Sequence, residues 1–161
     1  MNKADLTFIF TREDLAPETA LEVAEQATSP EEMRHILVNL AYYFRNAISK
    51  VNADDKTKAE AIFHIGEFVD AFFLATEASP TLMARFFSTT EERLYSFLKD
   101  YLVKFTHLYV DLKNGKPLKD VKDRLSFLAH SIHITVEYYI DFANLTLRDL
   151  FKERHSLTAN A

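Results

Sequence analysis

The sequence predicts an all-helical protein, and three observations support this prediction. The chain of 161 residues contains only two Gly and four Pro, too few for the many tight turns of a β-sandwich or barrel. Apolar residues recur every three or four positions along most of the chain, which is the period of an amphipathic helix. Residues that favour helix N-termini, such as Ser-Pro pairs and aspartates, stand before several of these segments.

Composition and charge exclude several classes of protein. The chain has 19 Lys and Arg against 24 Asp and Glu, for a formal net charge of −5, which argues against binding nucleic acid by phosphate neutralisation. It has no Cys, so disulfides, thiol catalysis and Cys-ligated metals are excluded. It shows neither a signal-peptide pattern nor 18 consecutive apolar residues. We therefore expect a cytoplasmic protein that binds neither nucleic acid nor a membrane.

The first 53 residues contain one weak and one strong helix signal. Residues 1–28 form an N-terminal segment with weak patterning, in which a short helix is predicted at about 17–27. The motif Ser29-Pro30-Glu31-Glu32 then combines an N-cap hydroxyl, a first-turn proline and a glutamate that can reach back to the cap. The apolar stripe that follows predicts a helix over 30–53.

Two long helices and a short one are predicted next. Asp54 or Asp55 can cap a helix that is apolar on more than one side and ends near Ser79-Pro80. A short element at 80–87 precedes a helix that ends at Lys113-Asn114-Gly115, where a cation and a left-handed glycine favour termination.

The last helical segment, 117–155, is long for a compact domain. As one helix it would measure about 58 Å, against a domain width of roughly 40 Å. The β-branched cluster at 132–136 is its weakest helical stretch. We therefore predict two helices, 117–133 and 135–155.

The domain organisation follows from these elements. Residues 29–155 are predicted to form one helical domain between the N-terminal segment and a tail at 156–161. Neither an internal repeat nor a low-complexity tract divides it.

Histidines are the side chains with the clearest potential for cofactor chemistry. Glu60, His64 and Glu67 share a helix face and resemble half of a metal site. The matching carboxylate and histidine set on a second helix is absent from the sequence. We therefore interpret these three residues as a solvated polar face.

His130 is the strongest candidate, because it ends the apolar segment 125–130 and is followed by Ile132 and Ile134. A buried imidazole must be hydrogen-bonded or bound to something. One interpretation is a core histidine satisfied by a backbone carbonyl or by Tyr139. The other is an axial ligand of haem iron, in an apolar slot lined from the 14 Phe of the chain.

Short motifs between about residues 58 and 151 occur in the order of the helices of a known family. They are His64-Ile65-Gly66-Glu67-Phe68-Val69-Asp70-Ala71-Phe72-Phe73, Leu82-Met83-Ala84-Arg85-Phe86-Phe87, Thr90-Glu91-Glu92-Arg93-Leu94-Tyr95-Ser96-Phe97-Leu98-Lys99, Asp123-Arg124-Leu125-Ser126-Phe127-Leu128-Ala129-His130-Ser131-Ile132 and Tyr138-Tyr139-Ile140-Asp141-Phe142. With these motifs the region resembles the sensor-globin domain of globin-coupled sensors and protoglobins, a modified globin fold that binds haem b. The resemblance implies a globin-like bundle in which 30–53 is the extra N-terminal helix.

The resemblance also implies a site and a function. His130 would be the proximal ligand of haem b, with Tyr139 beside it, in a haem-based gas sensor that signals through a separate partner protein. The other residues implied around the haem are Phe73, Phe86, Phe87, Leu94, Phe97 and Leu98.

Two departures from the family pattern affect these expectations. The ligand-binding tyrosine of the family is replaced by Phe73, so bound oxygen would gain no hydrogen bond and would be poorly stabilised. Only 31 residues follow His130, enough for a G helix but not for the terminal H helix as well. We therefore expect a homodimer through the helix at 135–155, which otherwise has no partner.

Other functions remain open at this point. The principal alternative is a cofactor-free globin-like regulatory or scaffolding module that binds a protein partner or an apolar ligand. Arg124 and His130 have the spacing found in HEPN-type ribonucleases, and Glu67-x-x-Asp70 resembles half of the metal motif of all-α nucleotide pyrophosphohydrolases. Neither pair is accompanied by the rest of an active site, so we expect no enzymatic activity.

Overall fold

The computed structural model describes residues 14–77 and 91–159, with side chains for 14–76 and 95–138. Within these ranges the protein contains helices and no strand, which confirms the predicted all-α class. The helices are α1 (Pro17–Glu25), α2 (Pro30–Lys50), α3 (Asp55–Glu77), α4 (Glu91–Lys113) and α5 (Leu118–Ala159). In the same ranges, no helix combines the length and apolar composition needed to cross a membrane.

Local capping residues set the predicted helix ends. Ser29 Oγ accepts a hydrogen bond from the Glu32 N–H at 3.1 Å at the start of α2, and the Asp54 carboxylate accepts one from the Thr57 N–H at 2.7 Å at the start of α3. Gly115 follows α4 with φ 95°, a left-handed conformation that favours glycine. The three predicted capping residues are confirmed, but the Glu32 carboxylate accepts a hydrogen bond from the Thr28 hydroxyl at 3.0 Å rather than from the cap amide.

Helices α2 to α5 form a four-helix bundle with the spatial order α2, α3, α5, α4 around its axis. Helices α2 and α3 form an antiparallel hairpin joined by residues 51–54. Lys122 near the beginning of α5 binds Glu60 near the beginning of α3 at 2.9 Å. Because these two helices also stay in contact along their length, they run parallel.

The centre of the bundle is filled by aromatic rings. Phe68 of α3 and Phe105 of α4 stack with their centroids 4.6 Å apart. Phe44 of α2 lies 5.4 Å from Phe105 and 5.8 Å from Tyr109 between ring centroids. All four side chains are fully buried, and burial of rings of this size is a large part of what stabilises a domain core.

Helix α1 is attached to the end of α4 by polar contacts. The buried Tyr109 hydroxyl donates to the Leu15 carbonyl, and Lys113 Nζ contacts the Asp14 carboxylate at 2.8 Å. Burial raises the pKa of Tyr109, which keeps the hydroxyl protonated as a donor. Asp14 and Leu15, just before α1, are therefore fixed to a helix almost a hundred residues later.

The predicted break in the last helix is wrong, because α5 is continuous from Leu118 to Ala159. Ile132 and Val136 are buried in the core, at 0% and 4% exposure, and the Thr135 hydroxyl donates to the Ser131 carbonyl at 2.8 Å. Each β-branched residue costs a helix about 0.5 kcal/mol, whereas burial of one such side chain contributes about 1.5–3 kcal/mol. Packing therefore overrides the weak helix propensity. The helix also continues into the predicted tail.

Helix α5 is longer than its neighbours. It has 42 residues and α3 has 23, and the two begin at the same level. At about 1.5 Å per residue, the last part of α5 extends beyond the end of α3.

Candidate functional site

His130, the predicted haem ligand, lies on the exposed face of α5. Ile132, two residues later, is fully buried, and two residues on a helix are separated by about 200° of rotation. The imidazole therefore points away from the core. The expectation that His130 lies buried in an apolar slot is wrong, because the buried residues near it in sequence, such as Leu125 and Ile132, occupy the opposite side of the helix.

Three of the residues implied around the haem pack against the core instead. Phe73 and Phe97 are partly buried and Leu98 is buried. The Phe97 ring contacts that of Tyr101 at 4.9 Å between centroids, and the Tyr101 hydroxyl lies 2.8 Å from Ser131 Oγ. The contact between Tyr101 and Ser131 joins α4 to α5 about 100° around α5 from His130.

The other implied residues fall outside the described side chains. Leu94 and Tyr139 belong to α4 and α5, but their side chains lie outside the described ranges. Phe86 and Phe87 lie between residues 77 and 91, outside the described residues altogether.

The described residues do not fit a haem group. Haem requires an imidazole directed into a large apolar slot, but His130 points outward and the rings of Phe44, Phe68 and Phe105 fill the bundle centre. Within the described ranges, every buried polar side-chain atom has a hydrogen-bond partner. Among the described side chains, the interior therefore presents no buried polar atom that requires a ligand.

The polar face of α3 is occupied by ion pairs and hydrogen bonds. Glu60 binds Lys122, which holds the pKa of this carboxyl below its ordinary value. His64 Nδ1 lies 2.7 Å from Glu67 Oε1. In the part of the chain that the structure describes, no three His, Asp or Glu side chains converge as a metal site would require.

Helix α5 carries a second apolar face that the sequence analysis missed. Phe127, Ile134 and Tyr138 are 75%, 51% and 64% exposed, and we call them the α5 stripe. Their spacing of seven and four residues places them within about 40° of one another around the helix. They lie opposite the face that buries Ile132 and Val136. The stripe could have been predicted from the sequence, because apolar residues recur on two opposite sides of this one helix.

A shallow groove between α4 and α5 adjoins this stripe. The α4–α5 groove has a volume of about 310 Å³, and its lining includes Phe127. Its charged lining residues are Lys104, Arg124 and Asp111, and His107 also lines it. Both cations are paired, because the Arg124 guanidinium lies 3.7 Å from the Asp111 carboxylate and Lys104 Nζ lies 2.9 Å from the Asp100 carboxylate. The groove thus combines an exposed aromatic ring with a border of ion pairs.

A second groove lies between α2 and α3, on the opposite side of the bundle. The α2–α3 groove has a volume of about 580 Å³. Val38, Tyr42 and Phe63 line it and are 48%, 67% and 64% exposed. Gly66 also lines it. Exposed side chains of this size, clustered in one groove, are typical of an interaction surface.

The fold and these surfaces define an all-α bundle with two apolar grooves on opposite sides. Comparison of the chain with protein-family models, with curated proteins and with solved structures gives no match in any of the three.

Proposed function

We propose that this protein is a cofactor-free helical interaction module, which binds a separate protein on the α5 stripe and the adjoining α4–α5 groove. The exposure of Phe127, Ile134 and Tyr138 along one helix face carries the proposal. Exposed apolar residues are usual when scattered singly, but a contiguous row of large ones favours a binding surface.

Binding accounts for the described side chains better than chemistry does. His64 is engaged with Glu67, and His133 lies 3.1 Å from Glu137. His130 faces outward without an apolar slot around it. Catalytic sites normally bring titratable groups together in a cleft, whereas these groups lie on helix surfaces.

The dimensions of the surface favour an amphipathic helix as the bound element. Phe127 and Tyr138 are eleven residues apart, which corresponds to about 16 Å, or three helical turns. A partner helix with apolar residues at positions i, i+4, i+7 and i+11 covers such a row.

Self-association through the helix at 135–155 is a separate proposal, carried over from the sequence. The length of α5 supports it, because the part of α5 that extends beyond the end of α3 is not covered by α3 and is open to contact with a second copy. Its side chains from residue 139 onward lie outside the described residues.

Site-specific photo-crosslinking tests the proposed surface. A benzoylphenylalanine at position 127 should give a discrete adduct with one protein in cells that express the chain, because that side chain would lie inside the interface. The same probe at the exposed position Glu25 of α1 is the control and should give no such adduct. Adding Ile134→Ser and Tyr138→Ser should abolish the adduct without changing the melting temperature, since both side chains are exposed. Identical adducts from both probe positions, or no adduct from either, would contradict the proposal.

A further inference from the structure

No contact or backbone conformation within the described chain explains why position 66, in the α2–α3 groove, is a glycine. It lies within α3 without a positive φ, and a Cβ atom built on it would meet no atom within 4 Å. Glycine nevertheless costs a helix about 1 kcal/mol relative to alanine. A residue without a side chain at this point leaves room for another backbone to approach.

The two ends of the α2–α3 groove carry opposite charges. Arg45 lies five residues before the end of α2, whereas Asp70 lies fifteen residues after the start of α3. Because the hairpin is antiparallel, Arg45 is close to the turn and Asp70 is about 10–15 Å further along the groove. Both are exposed, and neither belongs to an ion pair within the described ranges.

We propose that this groove is a self-association surface, occupied by the same groove of a second copy of this chain. The two copies would be related by a twofold axis that lies at the height of Ala41 of α2 and Gly66 of α3. The helices of the second copy then run in the opposite direction to those of the first. Arg45 of each copy then meets Asp70 of the other, so the surface is complementary to itself in charge.

The apolar side chains follow the same symmetry. Tyr42 and Phe63 lie on the turn side of the proposed axis, and Val38 and Val69 lie on the far side. The twofold rotation therefore places the two aromatic rings of each copy over the two valines of the other. At the axis, Gly66 faces its own symmetry mate, where the missing side chain permits close approach of the two α3 backbones.

The size of the surface predicts a weak dimer. Helices of 21 and 23 residues, lying side by side, offer roughly 600 Å² per copy, below the ~800 Å² of a standard interface. Self-association should therefore depend on concentration. This inference is independent of the proposed function, because the α4–α5 groove lies on the opposite side of the bundle.

Charge exchange across the groove tests the inference, with the full chain studied by sedimentation velocity over a range of concentrations. We expect a reversible monomer–dimer equilibrium in the parent chain. Arg45→Glu and Asp70→Arg should each raise the dimer dissociation constant by about tenfold or more, because each substitution enters the dimer twice and turns attraction into repulsion. The double variant should restore the dissociation constant to within about threefold of the parent, since the pairs are re-formed with exchanged charges.

Lys119→Glu is the matched control, because it makes the same change of charge at an exposed position on α5, outside the groove. It should leave the dissociation constant unchanged. Far-UV circular dichroism and thermal melting establish that every variant is folded. A chain that is monomeric at all concentrations overturns the inference. A dimer whose dissociation constant changes in neither single variant also overturns it, because such a dimer would form through another surface. The inference fails as well if the double variant does not restore the dissociation constant of the parent.

Discussion

Tyr109 illustrates how a buried polar group is accommodated at the scale of one residue. Its side chain is fully buried, and its hydroxyl donates to the Leu15 carbonyl. A buried carbonyl left without a donor would cost about 1–3 kcal/mol. This bond therefore both satisfies the hydroxyl and fixes the backbone that leads into α1.

The orientation of His130 depends on which side of α5 faces the core, and the sequence did not reveal this. Leu125 and Ile132 are fully buried. Phe127 and Ile134 are equally apolar, but their side chains are exposed. Apolar periodicity alone is therefore compatible with either side of the helix facing inward. The order of residues predicted an apolar environment for the imidazole, but only tertiary packing selects the face.

The haem hypothesis can be tested directly at this residue. Because His130 is exposed, protein produced with added haem should show no Soret band that depends on it, and His130→Ala should change the melting temperature by less than about 2 °C. Absorption spectroscopy and thermal melting measure the two effects. His133→Ala, at another exposed position on α5, is the control. A Soret band present in the parent and in His133→Ala but lost in His130→Ala would restore the haem interpretation.

At the scale of helices, the ends were predictable wherever a capping residue bonds to the backbone a few residues away, or adopts a special backbone conformation itself. Ser29, Asp54 and Gly115 act within a few residues of their position in sequence, so the sequence contains the complete signal. The continuity of α5 was not predictable in this way. It depends on the core that buries Ile132 and Val136, and this core is built from other helices.

Helix α3 provides a test in which stability and association change in opposite directions. Gly66→Ala should raise the free energy of unfolding by about 0.5–1 kcal/mol, because alanine favours the helix and the added Cβ meets no atom of the chain. Urea denaturation at a concentration where the protein is monomeric measures this effect. The proposed dimer should be weakened, since the methyl groups would meet at the twofold axis.

Gly115→Ala is the matched comparison for Gly66→Ala. It should lower the free energy of unfolding by about 1 kcal/mol or more, because φ is 95° at Gly115 and a Cβ atom disfavours that conformation. A loss of stability from Gly66→Ala would show that this glycine has an intramolecular role after all.

At the scale of the whole molecule, the all-α class was predictable, but the arrangement of helices was not. Short connections predict that α2 pairs with α3 and α4 with α5. The parallel contact of α3 with α5 depends on residues 62 positions apart, Glu60 and Lys122. Each groove lies between two helices joined by a short connection, so its position follows from the pairing of neighbours. That the two grooves lie on opposite sides of the bundle follows from the contacts of α3 with α5 and of α2 with α4.

The dependence of stability on pH is also a property of the whole molecule. Asp14, Asp54 and Glu60 have pKa values below their ordinary values, because of hydrogen bonds from Lys113, Thr57 and Lys122 respectively. A carboxyl whose pKa is lowered by folding stabilises the protein above its unfolded pKa, and this contribution is lost as the pH falls through the folded pKa. The free energy of unfolding should therefore stay nearly constant from pH 7 to about 5 and decrease below about 4.

Urea denaturation at several pH values, with Glu60→Gln for comparison, measures this dependence. The variant should be less stable than the parent at pH 7 and should lose less stability on acidification, because it lacks one of the three carboxyls. Glu25→Gln, at an exposed position on α1, serves as the control and should follow the parent. An acid profile of Glu60→Gln that parallels that of the parent would contradict the assigned role of the Glu60–Lys122 pair.

The attachment of α1 to the far end of α4 has a consequence for the order of folding. A helix of nine residues is too short to persist alone in water, and its anchors, Tyr109 and Lys113, are synthesised about a hundred residues later. On the ribosome, α1 emerges before the other described helices but gains its contacts only after α4 has been made. The first of the described helices to be translated is thus among the last of them to acquire its native position.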